Sequence, residues 1–384
     1  MANGMRFNFV GEIDANSLES KVPYLREIKD KNDQIIGLGL NLVNIAATNN
    51  RAFSETAGFI NDVIETQNSD GEKVKISWAD RFDEDVVDTV ANYRKNVITL
   101  NDERHEFIST YDFIKFISEH LDEIKGKRFT CTGRVRKNVY KGKISDRFEI
   151  QSLFEADDDK KNGLKVTGDF YFNKESFDFA DWKSEKKIII NGYTREYIDK
   201  EHPDVFVEKQ LVFDCSKLDL ENEKHLKLLK VKLMTIGLTY DAEANKITST
   251  CKRGKWYAMS VVTSYINGNE EVEFDESQLT ELQKTYIELG MKTLDDFKPK
   301  NGVFGDRIVI YRLVDFNLTG DYADGMVVVE DEVDDNIYVV SSTEKLEDVE
   351  EKLESKSSKK EEKKEEVPFD EDDEDDEDEN LFDI

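Results

Sequence analysis

The feature that most constrains the fold is a run of alternating apolar and polar residues between Lys125 and Phe154, broken by a turn at residues 140–143. Two alternating runs joined by a short polar turn predict a β-hairpin, because successive side chains of a strand point to opposite faces. One face of this hairpin is apolar and carries Phe129, Cys131, Gly133, Val135, Ile144, Phe148 and Ile150. We therefore expect this face to pack on a core and the opposite face to lie outward.

The outward face of the hairpin is cationic. Between Lys125 and Arg147 the chain has nine basic residues and one acid, Asp146, in a protein of formal net charge -30. A polyanion suits such a face, because neutralising phosphates releases condensed counterions and gives affinity without sequence readout. The residues predicted to contact phosphates are Arg128, Arg134, Arg136, Lys141, Lys143 and Arg147. The alternative is a solvated hairpin whose basic side chains keep an acidic protein in solution.

The segment that begins with the hairpin has the element order of an OB-fold. Predicted strands at 126–138, 143–155 and 164–173 precede a short helical segment near 176–182 and two more strands at 186–197 and 205–215. Five strands with a helix between the third and the fourth are typical of this small Greek-key barrel. It commonly holds oligonucleotides across its second and third strands.

Aromatic residues alternate with cations on the later strands of this segment. The outward set is predicted to include Tyr171, Tyr193, Arg195 and Tyr197. Bases of a single strand stack on exposed rings at about 1–3 kcal/mol each, while the phosphates follow the cations. A basic turn of Lys252, Arg253 and Lys255 directly before Trp256 is predicted as a second contact. The alternatives are tyrosines that are amphipathic barrel residues with hydroxyls in water, and a buried Trp256.

The length of the chain indicates more than one domain, since 384 residues exceed the usual limit for a single core. We predict a mostly β fold with a few helices (β-rich α+β), built as tandem OB-like small barrels with a disordered acidic tail. The boundaries are an N-terminal β domain at 1–109, a helix plus central OB-like domain at 110–219, a C-terminal β-rich domain with helices at 220–340, and the tail at 341–384.

The tail is strongly acidic but ends in apolar residues. Ten consecutive acids run from Asp370 to Glu379, and the chain closes on Leu381, Phe382, Asp383 and Ile384. Such a composition cannot bury enough apolar surface to order itself, so we expect disorder. A tail that only keeps the protein in solution would not need Leu381, Phe382 and Ile384. These three residues are therefore predicted to bind a partner protein.

This tail resembles that of bacterial and phage single-stranded DNA-binding proteins. In that family the acidic run competes with DNA for the basic groove, and the apolar tip docks replication and repair partners. The resemblance implies a protein of DNA replication or recombination whose tail regulates access to DNA. The bacterial tip ends in Pro-Phe, whereas here Phe382 is followed by Asp383 and Ile384. A phage-type tail that serves its own replication or recombination proteins is the better match.

The charge of the body is the main compositional argument against DNA binding. Residues 1–340 hold 63 acidic and 47 basic residues, so removing the tail does not make the protein basic. Any contact with nucleic acid must therefore come from local patches. The alternative function is a non-enzymatic structural or interaction scaffold, or an acidic protein that mimics DNA.

Several classes of chemistry have no motif in the sequence. There is no phosphate-binding G-x-x-x-x-G-K-[ST] loop, and the four histidines are isolated from one another and from the cysteines. We therefore expect no enzyme activity, cofactor or metal. Three distant cysteines and no visible signal peptide predict a reduced, cytoplasmic protein, in a host cell if a phage encodes it. No apolar run approaches the roughly 20 residues of a membrane helix, and no pattern indicates an oligomeric state.

Overall fold

The computed structural model describes residues 4–47, 50–140, 143–272, 279–297, 303–330 and 333–339. Its strands are β1 Arg6–Asp14, β2 Leu25–Lys29, β3 Ile35–Ala47, β4 Asn50–Phe59, β5 Val63–Gln67, β6 Lys73–Ser77, β7 Asn96–Leu100, β8 Glu103–Phe107, β9 Arg128–Tyr140, β10 Lys143–Glu155, β11 Gly163–Phe172, β12 Phe177–Asp178, β13 Lys187–Glu196, β14 Val205–Asp214, β15 Leu238–Asp241, β16 Lys246–Ser249, β17 Trp256–Val272, β18 Val303–Phe316 and β19 Val327–Val329. Its helices are α1 Glu84–Thr89, α2 Thr110–Glu119, α3 Leu121–Ile124, α4 Trp182–Glu185, α5 Glu223–Thr235, α6 Glu281–Glu288 and α7 Leu294–Phe297. The prediction of a mostly β fold with a few helices is confirmed. The predicted tail and its apolar tip, together with Lys141, lie outside the described residues.

Fifteen of the described strands are joined by hydrogen bonds into one sheet. Its main path runs β12-β13-β14-β18-β17-β11-β1-β3-β4-β10-β7-β8, while β2, β9 and β19 pair beside it. Strand β1 is central, because it pairs antiparallel with β3, β9 and β11. Alternate side chains of β1 explain this position, since Phe7, Phe9 and Ile13 are at most 3% exposed. The remaining described strands form two separate hairpins, β5-β6 and β15-β16.

The predicted basic hairpin is present as β9 and β10, with ends within about two residues of those expected. Phe129, Cys131 and Val135 are at most 1% exposed, and Phe148 and Ile150 at most 3%. The assignment of this face to the core is therefore confirmed. The alternating pattern predicts the buried face correctly because that face packs on a single apolar cluster, which also contains residues of β1 and β3.

The predicted order of strands after the hairpin is also observed, as β11, β13 and β14. The helical segment predicted near 176–182 is displaced, because a 3-10 turn at Lys174–Ser176 and helix α4 flank the short strand β12 there. The partners of these strands come from the whole chain, however. Strand β11 pairs with β1, β13 and β17, and β14 pairs with β18. Pairing thus crosses both predicted boundaries, at 109/110 and 219/220. The division into separately folding domains stays a prediction.

Helix α2 packs one face on the core and closes one end of the β4 ladder. Ser109 caps its N-terminus, and Phe113, Ile114 and Ile117 are fully buried. The backbone of β4 approaches this helix closely at Gly58, where an added Cβ would lie 2.2 Å from the Tyr111 nitrogen. Only glycine fits there, and this contact sets the distance between β4 and the start of α2.

A buried cluster of charged groups lies near the turn of the hairpin, where Lys137 and Asp146 face each other. The Lys137 ammonium lies 2.7 Å from Asp146 Oδ1, and the Lys209 ammonium donates to Asp146 Oδ2 at 2.5 Å. Tyr311 donates its hydroxyl to the same oxygen, and Glu196 Oε1 lies 3.7 Å from Lys137 Nζ. Burial alone raises a carboxyl pKa, but the two lysines hold the pKa of Asp146 well below its ordinary value.

The cluster accounts for Lys137 and Asp146, two hairpin residues that are not among the predicted DNA contacts. Lys137 is 3% exposed at its side chain and Lys209 is 7% exposed, so neither is available to a ligand. Burial and the nearby Lys137 lower the pKa of Lys209 to about 7. The single acid of the basic stretch, Asp146, is therefore an internal counter-ion.

The three cysteines, Cys131, Cys215 and Cys251, are buried thiols without a disulfide, and burial raises the pKa of each. Among the described residues, none of the helices is long and apolar enough to cross a membrane. In the same part of the chain, no group of three His, Cys, Asp or Glu side chains is arranged to hold a metal ion.

Candidate nucleic-acid interface

The outward face of β9 and β10 continues onto β1. Arg134 stands directly opposite Arg6 in the β1-β9 ladder, and Thr132 stands opposite Asn8. Two like charges opposite each other on one face of a sheet destabilise it. Neither arginine has a carboxylate within 4.0 Å in the part of the chain that the structure describes. This pair therefore places uncompensated positive charge in the middle of the predicted face.

Arg94 adds a third charge to the same place. Burial and repulsion from Arg136, Arg94 and Arg6 together lower the pKa of Arg134. The Arg94 guanidinium donates to Gln67 Oε1 at 2.8 Å, a neutral partner that leaves its charge uncompensated. We call Arg6, Arg94 and Arg134 the arginine cluster. Such a cluster of guanidinium groups without ion pairs is suited to bind phosphate.

Four of the other predicted arginines are engaged by neighbouring oxygens. Arg136 pairs with Glu149 at 3.3 Å, and Arg147 lies 3.6 Å from Glu55. Arg128 donates to Asn162 and to the Lys160 carbonyl, and the exposed Lys143 has no ion pair among the described residues. Arg195 forms a two-pronged pair with Asp204, with both nitrogen–oxygen distances 2.7 Å. These arginines can contact phosphates only by exchanging their present partners.

Tyr171 is not on the surface. It is 8% exposed and packs edge-to-face on Phe206, with ring centroids 5.0 Å apart. The expectation of an exposed ring is therefore wrong. Both faces of β11 are covered, because Val333 and Ile337 pack over the side that alternation assigned to solvent.

Tyr193 and Trp256 come together as the outward pattern suggested, but in an acidic neighbourhood. Their rings make an edge-to-face contact at 5.6 Å, and both are half-buried. The Trp256 indole donates to Asp334 Oδ2 at 3.1 Å. Burial, Glu208 and Asp334 raise the pKa of Tyr193. The ring pair is thus partly occupied by its own contacts and lies close to carboxylates that repel phosphate.

Tyr197 of the outward set and the basic turn of the second contact are open to solvent. Tyr197 is 42% exposed, and the turn residues Lys252, Arg253 and Lys255 are all exposed. None of the three cations has an ion pair in the described part of the chain. They remain candidates for a peripheral phosphate contact.

A cleft of about 690 Å³ lies beside the arginine cluster. Arg94 and Arg134 line it, and the end of β4, strand β5 and the start of α2 form its other walls. Three aromatic residues face it, namely Phe59, Trp78 and Tyr93. Phe59 is 47% and Tyr93 46% exposed. The sequence reasoning missed these rings, although Trp78 and Tyr93 each lie within three residues of an arginine in the sequence.

The two carboxylates of the cleft are already paired. Glu65 lies 2.9 Å from the Lys75 ammonium, and Glu149 is held by Arg136. The hydrogen-bonded pair with Lys75 lowers the pKa of Glu65. Their charges are therefore offset within the protein, whereas those of the arginine cluster are not. The lining thus holds two arginines and two glutamates next to aromatic surface, and each glutamate has a further cation from outside the lining within 3.3 Å.

No protein-family model matches the chain, and no curated protein matches it. Among solved structures, the chain is similar to a deletion mutant of the single-stranded DNA binding protein from Thermus aquaticus. That similarity has a TM-score of 0.27 at 10% sequence identity, and covers 69% of this chain and 87% of that chain. A TM-score this low does not establish a shared fold.

Proposed function

We propose that the protein binds single-stranded DNA without reading its sequence. The observation that carries this proposal is the arginine cluster, three guanidinium groups without a carboxylate partner in the described part of the chain, beside a cleft with exposed aromatic rings. The phosphates of a single strand can bind along a groove of arginines, and its unpaired bases can stack on aromatic side chains. Binding, and not catalysis, is the activity that these features support.

The proposed phosphate contacts differ in whether the side chain must release an existing partner before it can bind phosphate. Arg134 and Arg6 meet a phosphate without losing an existing ion pair, so they form the centre of the interface. Arg128, Arg136 and Arg147 lie on the same hairpin and would extend it once their partners are exchanged. Lys143, Arg195 and the basic turn at 252–255 are the peripheral part of the proposal.

The cellular role rests on the sequence of the tail. We propose a part in DNA replication, recombination or repair, in the cytoplasm of a phage-infected cell. Residues Asp370–Glu379 would compete with DNA for the cationic face, because both are polyanions. Leu381, Phe382 and Ile384 would recruit a replication or recombination protein by apolar contact.

The second candidate is a scaffold or a DNA-mimicking acidic protein. One observation favours it, since Arg136, Arg147 and Arg195 are all paired with acids of the same chain. In such a protein the basic residues would serve only internal pairing. The arginine cluster disfavours this reading, because none of its three guanidinium groups forms an ion pair within the described residues.

The test is fluorescence anisotropy of a labelled oligo(dT), titrated with the full chain and with a chain lacking Pro368–Ile384, at several salt concentrations. A duplex of equal length serves as competitor. We expect salt-sensitive binding that prefers the single strand and is tighter without the tail. Replacing Arg6 and Arg134 by Gln should reduce the slope of log K against log salt by about 0.7 for each lost phosphate contact.

The matched control is Arg104→Gln, which removes an exposed arginine on β8 that pairs with Glu106. It should leave the slope as in the wild-type protein. No binding of oligo(dT) at low salt by either chain would refute the proposal. The search would then turn to protein partners of an acidic scaffold.

A further inference from the structure

We propose that the cleft beside the arginine cluster is a nucleobase site, in which unpaired bases of the bound strand lie against Phe59 and Tyr93. This inference rests on the proposed function and moves the base contacts away from Tyr171, Tyr193 and Trp256. The ligand that this site would recognise is an aromatic base linked to a phosphate.

The first step is the availability of ring faces. Phe59 ends β4 and is 47% exposed, and Tyr93 lies in the turn before β7 and is 46% exposed. Both line one concave surface instead of standing alone on a convex one. By contrast, Tyr171 is buried, and the indole N–H of Trp256 already donates a hydrogen bond to Asp334. The cleft therefore offers accessible aromatic surface beside two arginines that have no ion pair among the described residues.

The second step is that the walls are held in place. The Arg81 guanidinium stacks 4.2 Å from the Trp78 ring centroid and donates to Asp112 Oδ2 at 2.8 Å. Trp78 also meets Tyr111 at 6.0 Å. The Tyr93 backbone carbonyl accepts a hydrogen bond from Gln151 at 2.6 Å. A site whose walls are already fixed loses little conformational entropy when a ligand binds.

The third step is size. A cleft of about 690 Å³ lies inside the range of roughly 300–1,000 Å³ that is usual for small-molecule sites. It can hold the base of one or two nucleotides but not a duplex. Bases in a duplex are stacked on each other and present no free face. The cleft would therefore give preference for the single strand.

The fourth step is charge. Arg94 lies with its guanidinium carbon 5.5 Å from the Tyr93 ring centroid, and Arg134 lines the wall formed by the hairpin. A base on Tyr93 thus brings its phosphate toward Arg94. The two acids of the cleft, Glu65 and Glu149, are paired with Lys75 and Arg136. No bare carboxylate of the described residues opposes a phosphate there.

The test compares Phe59→Ala, Tyr93→Ala and the double variant of the full chain on two strands of equal length, oligo(dT) and an abasic phosphodiester. Both residues are exposed, so folding should be kept, which thermal unfolding verifies. We expect each substitution to weaken oligo(dT) binding about 5- to 150-fold. Binding of the abasic strand should not change. The matched control is Phe53→Ala, an exposed ring on the same strand β4, outside the cleft.

The outcomes separate the inference from the proposed function. Wild-type protein that binds oligo(dT) together with a double variant that binds it equally well would refute the base site alone. Equal losses on the abasic strand would also refute it, since a ring that stacks on bases is not needed there. Displacement of oligo(dT) by free dTMP with a similar dissociation constant would identify a site for free nucleotides instead. Failure of wild-type protein to bind oligo(dT) would refute both proposals.

Discussion

Replacing Asp146 by Asn should destabilise the protein strongly, because this carboxylate is the counter-ion of two buried lysines. Its oxygens lie 2.7 Å from Lys137 Nζ and 2.5 Å from Lys209 Nζ, and Tyr311 donates to it as well. Asn keeps the shape but removes the charge. Removing one partner of a buried ion pair typically costs about 3–5 kcal/mol, since the remaining charge is left without compensation.

The magnitude is set by how the two lysines respond. Lys137 is 3% exposed, and its only other acid within 4.0 Å in the described part is Glu196, at 3.7 Å. Lys209 has a pKa of about 7, so it can lose its proton and relieve part of the cost at neutral pH. We therefore expect a loss of about 3 kcal/mol in the free energy of unfolding, near the lower end of that range.

The assay is urea denaturation at neutral pH, followed by tryptophan fluorescence, with the m-value required to match that of wild type. The control is Asp157→Asn, which removes the exposed partner of Lys160 at 2.8 Å. Exposed pairs of this kind contribute little, so the control should behave as wild type. A loss below about 1 kcal/mol for Asp146→Asn, with an unchanged m-value, would contradict the buried counter-ion reasoning.

Two further predictions follow from the same region. The pKa of Asp146 is lowered in the folded protein from the ordinary value of 3.8, so its stabilising contribution is complete above about pH 4 and is lost as the pH falls below that value. The stability difference between wild type and Asp146→Asn should accordingly shrink between about pH 4 and pH 2, and a constant difference in urea titrations would contradict this. Gly133→Ala should cost about 1–3 kcal/mol or more by overpacking, because its Cβ would lie 1.9 Å from the Glu149 carbonyl oxygen, whereas Gly163→Ala meets nothing within 4 Å. Equal denaturation midpoints for the two alanine variants would show that the hairpin strands are not in close contact at Gly133.

The faces of single strands were predictable from local alternation. The inward set Phe129, Cys131 and Val135 is buried as expected, because one side of β9 lies on the main core. The burial of the side of β11 that carries Tyr171 was not predictable in the same way. Alternation gives the direction of Tyr171 but not what covers it, and the cover comes from separate parts of the chain, Phe206 on β14 and the segment around Val333.

The availability of each cation depended on which residue lies beside it on a neighbouring strand. Arg134, Arg136 and Arg147 look alike in the sequence of the hairpin. Their difference arises because Glu149 reaches Arg136 and Glu55 reaches Arg147, while Arg134 faces Arg6. A basic count over a short stretch therefore predicts the sign of a face but not which charges a ligand can use.

The sequence by itself determined the β-rich class, the basic hairpin and the order of the strands that follow it. These features depend on side-chain alternation and charge within a few residues, which are local properties of the chain. Only the tertiary structure brought Phe59, Tyr93 and Arg134 to one cleft, since β4, the turn before β7 and β9 are separated by long stretches of sequence. It also turned Asp146 inward between Lys137 and Lys209. Which groups share a site depends on long-range strand pairing and burial, and a local pattern does not contain that information.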